Sequence, residues 1–169
     1  MSLVINTIVA IPNNKTVAIQ YIAIGDKVET FNYSTQSGLS KGNPLIVKMS
    51  NGTGNTPISQ NMINIRFGNN SSLICSPDQK ILTENGKLKM AKHFMPNDNI
   101  FLADGSTTKI EMVVMGNYQE GIHMISTSLN PTTSLKHGNL FCANGIIVAD
   151  YALNLGEPDN DELTGLNPE

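Results

Sequence analysis

Few side chains in this sequence can move a proton or attack a carbonyl near neutral pH, and they are scattered. Imidazole is the side chain whose ordinary pKa lies there, and the chain has three, His93, His123 and His137. None is spaced with a second ligand in a recognisable metal pattern, and no HExxH, GxGxxG or phosphate-loop motif occurs. Each histidine reads as a surface or hydrogen-bonded ring, and neither a metal nor a cofactor is expected. Asp26 and Asp98 close equivalent turns, so they read as acceptors for turn amides. An acid–base pair would have to converge on one substrate instead. Ser2 can act as a nucleophile if a base stands near it, although an ordinary chain start is the simpler reading.

The elements that must position these groups are short and extended. Ser76-Pro77-Asp78 is a tight turn, since proline fixes φ and Asp78 can bond back to the backbone. Lys80 to Thr83 follows as a strand, Glu84-Asn85-Gly86 as a hairpin-type turn, and Ile100 to Ala103 as an apolar strand. Residues 13 to 28, NNKTVAIQYIAIGDKV, fall on residues 85 to 100, NGKLKMAKHFMPNDNI, at a constant offset of 72 without a gap. Both windows carry a polar turn, a mixed run, an apolar patch, a turn closed by Asp, and a strand.

Further strands are expected at 4–11, 27–31, 44–49, 61–67, 71–75, 109–115, 121–126 and 146–149. Residues 32–43, 50–60 and 129–135 read as loops, and only Leu88 to His93 is expected to turn helically, once or twice. Many short strands between Asn, Gly and Pro turns predict an all-β single domain over residues 1–153. Residues 154–169, carrying Pro, Gly and acids, read as a tail or linker.

A chain of 169 residues fills one core. Its formal charge of −3, with 11 basic residues and one arginine, excludes the clustered basic face that nucleic acid requires. No run approaches the roughly 20 apolar residues of a membrane span, and the N-terminus lacks a signal-peptide pattern. A monomer is expected. The two cysteines, Cys75 and Cys142, lie beside apolar runs and are expected as free buried thiols. The compartment is not specified by the sequence; a cytoplasmic one is preferred.

Three ordered blocks resemble the Hint domain, the fold shared by inteins, bacterial intein-like domains and the autoprocessing domain of hedgehog proteins. The first is Asn6-Thr7-Ile8-Val9 with Ala23-Ile24-Gly25-Asp26-Lys27-Val28. The second is Ser76-Pro77-Asp78-Gln79, Asn85-Gly86, Ala91-Lys92 and Pro96-Asn97-Asp98, similar to a family wording of Thr-Pro-Asp-His and Ala-Lys-Asp-Leu-Pro-Gly-Asp. The third is Phe141-Cys142-Ala143-Asn144-Gly145-Ile146-Ile147-Val148, similar to Tyr-Phe-Ala-Asn-Gly-Ile-Leu-Val. The blocks cover about residues 2 to 150. The resemblance implies a flattened, pseudo-two-fold β-fold whose two ends meet at its centre.

It also implies a self-processing chemistry, an acyl shift at the first residue followed by cyclisation of a terminal Asn. The only partners it implies are the flanking segments of the chain's own precursor. The family's nucleophile position falls on Ser2, its block histidine on Gln79, and that histidine's Thr companion on Ser76, with Asp78 between them. The histidine before the terminal Asn falls on Asn139, with His137 two residues upstream. The final His-Asn pair falls on Ala149-Asp150. Gln79 and Ala149 cannot cycle a proton, and Asp150 has no amide to cyclise. The sequence therefore predicts a degenerate domain, expected as part of a larger or phage-encoded protein, that serves as a structural module with little or no splicing. Slow self-cleavage at Ser2 and Asp150, and binding through the loops at 36–43 and 50–60, are the alternatives.

Overall fold

The computed structural model describes residues 1–156. Among them the strands are β1 Leu3–Val4, β2 Ile8–Ile11, β3 Lys15–Ala18, β4 Lys27–Val28, β5 Phe31–Ser34, β6 Gly38–Lys41, β7 Leu45–Ile46, β8 Met49–Gly52 and β9 Ile58–Phe67. They continue as β10 Ser71–Cys75, β11 Lys80–Leu82, β12 Leu88–Met90, β13 Asn99–Phe101, β14 Thr107–Glu120, β15 Ile122–Ser126, β16 Leu140–Ala143 and β17 Ile146–Ala149. One short helix, α1 Tyr151–Gly156, follows. The first sheet runs β13-β14-β9-β10-β1-β15-β8. The second runs β12-β11-β17-β16-β2-β3, with the β5–β6 hairpin joined through β16.

The 72-residue offset is repeated hydrogen bond for hydrogen bond. Single 3-10 turns occupy Ile19–Tyr21 and Ala91–His93, each between extended residues. Ala23 N donates to Asp26 Oδ2 and Met95 N to Asp98 Oδ2, both at 2.9 Å. Gly25 N reaches Val47 O and Asn97 N reaches Ile110 O, while Val47 N and Ile110 N return to Asp26 O and Asp98 O. Residues 25 and 97 have φ of 97° and 78°, the region glycine and asparagine enter most easily. The match extends upstream of the windows, for Ile19 N bonds Thr7 O and Ala91 N bonds Gln79 O, both at 2.8 Å. Asp26 and Asp98 are thus turn acceptors in two copies of one motif. Asp98 also pairs with Lys89 at 3.0 Å.

β1 and β17 bring the chain ends to the centre. β1 lies between β10 and β15, with Leu3 opposite both Cys75 and His123. β17 lies between β11 and β16. Residues 76–79 pass from β10 in the first sheet to β11 in the second. Leu3, Ile65, Leu73, Ile81, Ile100, Phe141 and Val148 fill the main core. Phe31, Leu82, Leu88, Leu140, Ile147 and Leu153 form a second cluster.

Several segments differ from the sequence expectation. Residues 32–43 hold most of the β5–β6 hairpin, because Phe31, Tyr33 and Leu39 pack on the second cluster from an otherwise polar run. The expected strand at 44–49 is broken at Val47 and Lys48, whose amides bond Asp26 O and Ser126 O across the fold. Residues 50–60 hold most of β8 and the start of β9, and the strand expected at 109–115 extends over all of β14. The expected boundary between 153 and 154 falls inside α1, where Asn154 is buried. Residues 157–169 of the expected tail lie outside the described residues. Cys75 and Cys142 are free and buried, and burial pushes the Cys75 thiol up to about 12. No described helix is long and apolar enough to cross a membrane.

Candidate functional site

The β16–β17 hairpin turns at Asn144-Gly145, both at positive φ, as a two-residue turn requires. From there its register pairs Leu140 with Ala149. One step further Asn139 faces Asp150, and Asp150 N bonds Asn139 O at 2.8 Å. The separation of eleven residues between Asn139 and Asp150 is therefore a hairpin register. Asn139 Nδ2 donates to Asp150 Oδ2 at 2.9 Å. The same oxygen accepts from Thr127 N at 3.0 Å, and the Ser126 and Thr127 hydroxyls lie 3.1 and 3.3 Å from it, each with a nearer acceptor at 2.8 Å in Ser128 O or Gly138 O. Asp150 Oδ1 accepts from Leu153 N at 3.0 Å, which makes Asp150 the N-cap of α1. Burial pushes the Asp150 carboxyl above its ordinary value, and the donors from Leu153, Thr127, Asn139 and Ser126 only partly offset that.

At the other end Ser2 is buried, its N–H donating to Ser76 Oγ at 2.9 Å, and Ser76 N returns to Ser2 O at 2.9 Å. Ser76 Oγ donates its own proton to Asp78 Oδ1 at 2.7 Å. The nitrogen of Met1 bonds both Ser76 Oγ and Asp78 Oδ1. Burial alone would raise the Asp78 carboxyl. The hydrogen bonds from the Met1 ammonium and from Ser76 outweigh it and hold that carboxyl below its ordinary value.

Gln79 joins the two ends. Its Nε2 donates to Ala149 O at 2.9 Å and Lys80 O at 3.1 Å. α1 adds a second tie, with Lys80 N donating to Asn154 Oδ1 at 2.7 Å and Asn154 Nδ2 to Asp78 O at 3.0 Å. Met1, Gln79, His123, Ala149 and Tyr151 all line one cavity of about 10 Å³. Ser2, Ser76, Asp78, Gln79, Asn139, Ala149 and Asp150 are thus gathered into two bonded clusters with Gln79 as the link. His137 is exposed on the preceding loop and joins neither.

Sequence reasoning missed four participants. Ser126 ends β15 and Thr127 follows it, both bonded to Asp150, and Asn154 lies in what read as tail. His123, read only as a surface or hydrogen-bonded ring, borders the central cavity. Ser50 Oγ gives its proton to Ile22 O at 2.6 Å, so the 2.7 Å contact carries the His123 Nε2 proton to Ser50. His123 Nδ1 is left as a buried lone pair without a partner, and burial lowers the pKa of the ring. No group of three His, Cys, Asp or Glu side chains converges among the described residues.

The fold has counterparts among solved structures. The solution structure of a bacterial intein-like domain from Clostridium thermocellum aligns with a TM-score of 0.70 at 12% identity, over 88% of this chain and 98% of that one. The fold is that of an intein-like Hint domain. A DnaB intein from Synechocystis sp. PCC 6803 aligns with a TM-score of 0.67 at 16% identity, over 88% and 97% of the two chains. The gp41-1 intein gives 0.64 at 17% identity, over 88% and 98%. No family model matches the sequence, and no curated protein matches it. The Hint fold carries the pseudo-two-fold duplication anticipated from the offset.

Because Gln79 Nε2 serves a buried carbonyl on the neighbouring strand β17, Gln79→Ala strands Ala149 O. A buried unsatisfied acceptor costs about 1–3 kcal/mol. Urea unfolding should therefore show a lower midpoint with an unchanged slope, and Gln79→Glu, which presents no donor, should lose at least as much.

Proposed function

We propose that this chain is a Hint-fold module whose polar centre fastens the chain ends to the two sheets and does not carry out splicing. The observation that supports this best is the state of Asp150. Its two oxygens are taken up as the N-cap of α1 and as the acceptor for Ser126, Thr127 and Asn139. A terminal cyclisation would need an amide nitrogen at that position and a chain free to leave. Here the chain runs on into α1, with Ala152, Leu153 and Asn154 buried.

The upstream end supports the same reading. In an acyl shift at Ser2, its hydroxyl oxygen would bond the carbonyl carbon of Met1. The C–N bond would break, and the departing Ser2 nitrogen would take up a proton. The hydroxyl bonded to that nitrogen is Ser76 Oγ, which accepts from it and aims its own proton at Asp78. Gln79 holds Ala149 O and has no titration near neutrality. The partners of the module are then the segments of its own precursor joined at either end.

A partner protein fused upstream of Met1 and incubated with hydroxylamine tests this half alone, since hydroxylamine cleaves any ester formed at Ser2. No cleavage between Met1 and Ser2 is expected. A partner released with its hydroxamate on Met1, as distinct from one on residue 51, would replace the structural reading with one of slow self-cleavage.

A further inference from the structure

The sequence contains three Asn-Gly pairs, Asn51-Gly52, Asn85-Gly86 and Asn144-Gly145. Such pairs can close on themselves, because the nitrogen following Asn can reach the side-chain carbonyl carbon when no side chain obstructs it. The fold treats the three differently. Asn144 is held on both sides, its Oδ1 accepting from Ile8 N at 2.7 Å and its Nδ2 donating to Ser72 O at 2.9 Å. Asn85 is exposed, but the Gly86 N–H is turned away from it to Thr83 O at 2.9 Å. Only at the first pair does the glycine nitrogen face its own asparagine: Gly52 N lies 2.9 Å from Asn51 Oδ1, which keeps the adjoining Cγ beside it.

The surroundings fix that arrangement. β8 is the free edge of the first sheet, with Gly52 opposite His123. A Cβ at residue 52 would meet Ile122 O at 2.3 Å and His123 Nδ1 at 2.5 Å, so the position accepts only glycine. Asn51 itself is exposed, leaving its amide open to water.

We propose that Asn51 is a site of spontaneous self-modification in the folded protein, cyclising onto the nitrogen of Gly52. That nitrogen gives its proton to solvent base and adds to Asn51 Cγ, and the adduct expels Nδ2 as ammonia. Water then opens the resulting succinimide at either carbonyl to leave aspartate or isoaspartate. Each event adds one negative charge to a chain of formal charge −3. The isoaspartate form also lengthens the backbone of β8 by one methylene, beside the Ser50–His123 contact.

The test is to hold the folded chain in mildly alkaline buffer and follow the three peptides by mass and by isoaspartate content. Positioning of this kind is expected to make Asn51 convert faster than Asn85 and Asn144 by about tenfold or more. In concentrated urea the three rates should draw together. Asn51→Gln, at an exposed position, should remove most of the acidic species seen by ion exchange in the folded protein. Equal or faster conversion at Asn85 in the folded chain, or the same ranking in urea, would overturn the proposal.

Discussion

Asp150→Ala is expected to cost about 3–5 kcal/mol, the largest loss from any single change at the centre, since it strands several buried donors and removes a helix cap. Thr127 N, the Ser126 and Thr127 hydroxyls and Asn139 Nδ2 would all lose their common acceptor. The hydroxyls already have nearer acceptors in Ser128 O and Gly138 O, so the loss falls on the Thr127 amide, which cannot turn. Asp150→Asn keeps one oxygen and should recover part of the loss. The pH dependence has a definite sign. Burial raises the folded carboxyl above its ordinary 3.8, so the proton binds more tightly to the folded chain than to the unfolded one. The contribution of Asp150 is then fully present below the unfolded value and declines as pH rises through the folded one. The penalty of Asp150→Ala, read from urea unfolding, should accordingly be greater near pH 4 than near pH 7. A penalty that grows with pH would contradict this account of the buried carboxyl.

The second large effect is a gain. Ser2→Cys, Gln79→His, Asn139→His, Ala149→His and Asp150→Asn together should turn an inert fusion into one with measurable cleavage. A positioned acid or base contributes about 10²- to 10⁴-fold, and groups acting as one unit do not add independently. The single changes should therefore do little alone. The structure adds two conditions. Gln79→His gives up the bond to Ala149 O and Asn139→His gives up a donor to Asp150, so folding of the combined variant must be verified first. The downstream partner must also be joined after Gly156, because Ala152, Leu153 and Asn154 pack in the domain. A well-folded variant that stays intact would mean that these five positions do not suffice to carry the chemistry on this scaffold.

The duplicated motif was legible because local chemistry dictates it. Asp26 and Asp98 each bind an amide three residues back, and Gly25 and Asn97 tolerate positive φ, so turn grammar alone revealed the repeat. The same offset carries Thr7 onto Gln79, an extension open to inspection but hidden by unlike side chains that use like backbone atoms. The Asn139–Asp150 contact was implied by resemblance and explained only by the hairpin register. Ser126, Thr127 and Asn154 were not legible, because their roles depend on how β15 and α1 approach β17, and no short-range pattern encodes that approach. The β5–β6 hairpin was missed for a related reason. Phe31, Tyr33 and Leu39 are few apolar side chains among polar ones, and the buried residues they meet begin at Leu82, more than forty positions away.

The central claim is that this Hint fold holds its ends instead of exchanging them. The direct measurement is intact mass spectrometry of the unaltered chain between two foreign folded partners, before and after overnight incubation with and without a strong thiol. A single mass, unchanged in both conditions, is expected. A ligated product of the two partners, or time-dependent cleavage before Ser2 or after Asp150, would contradict it.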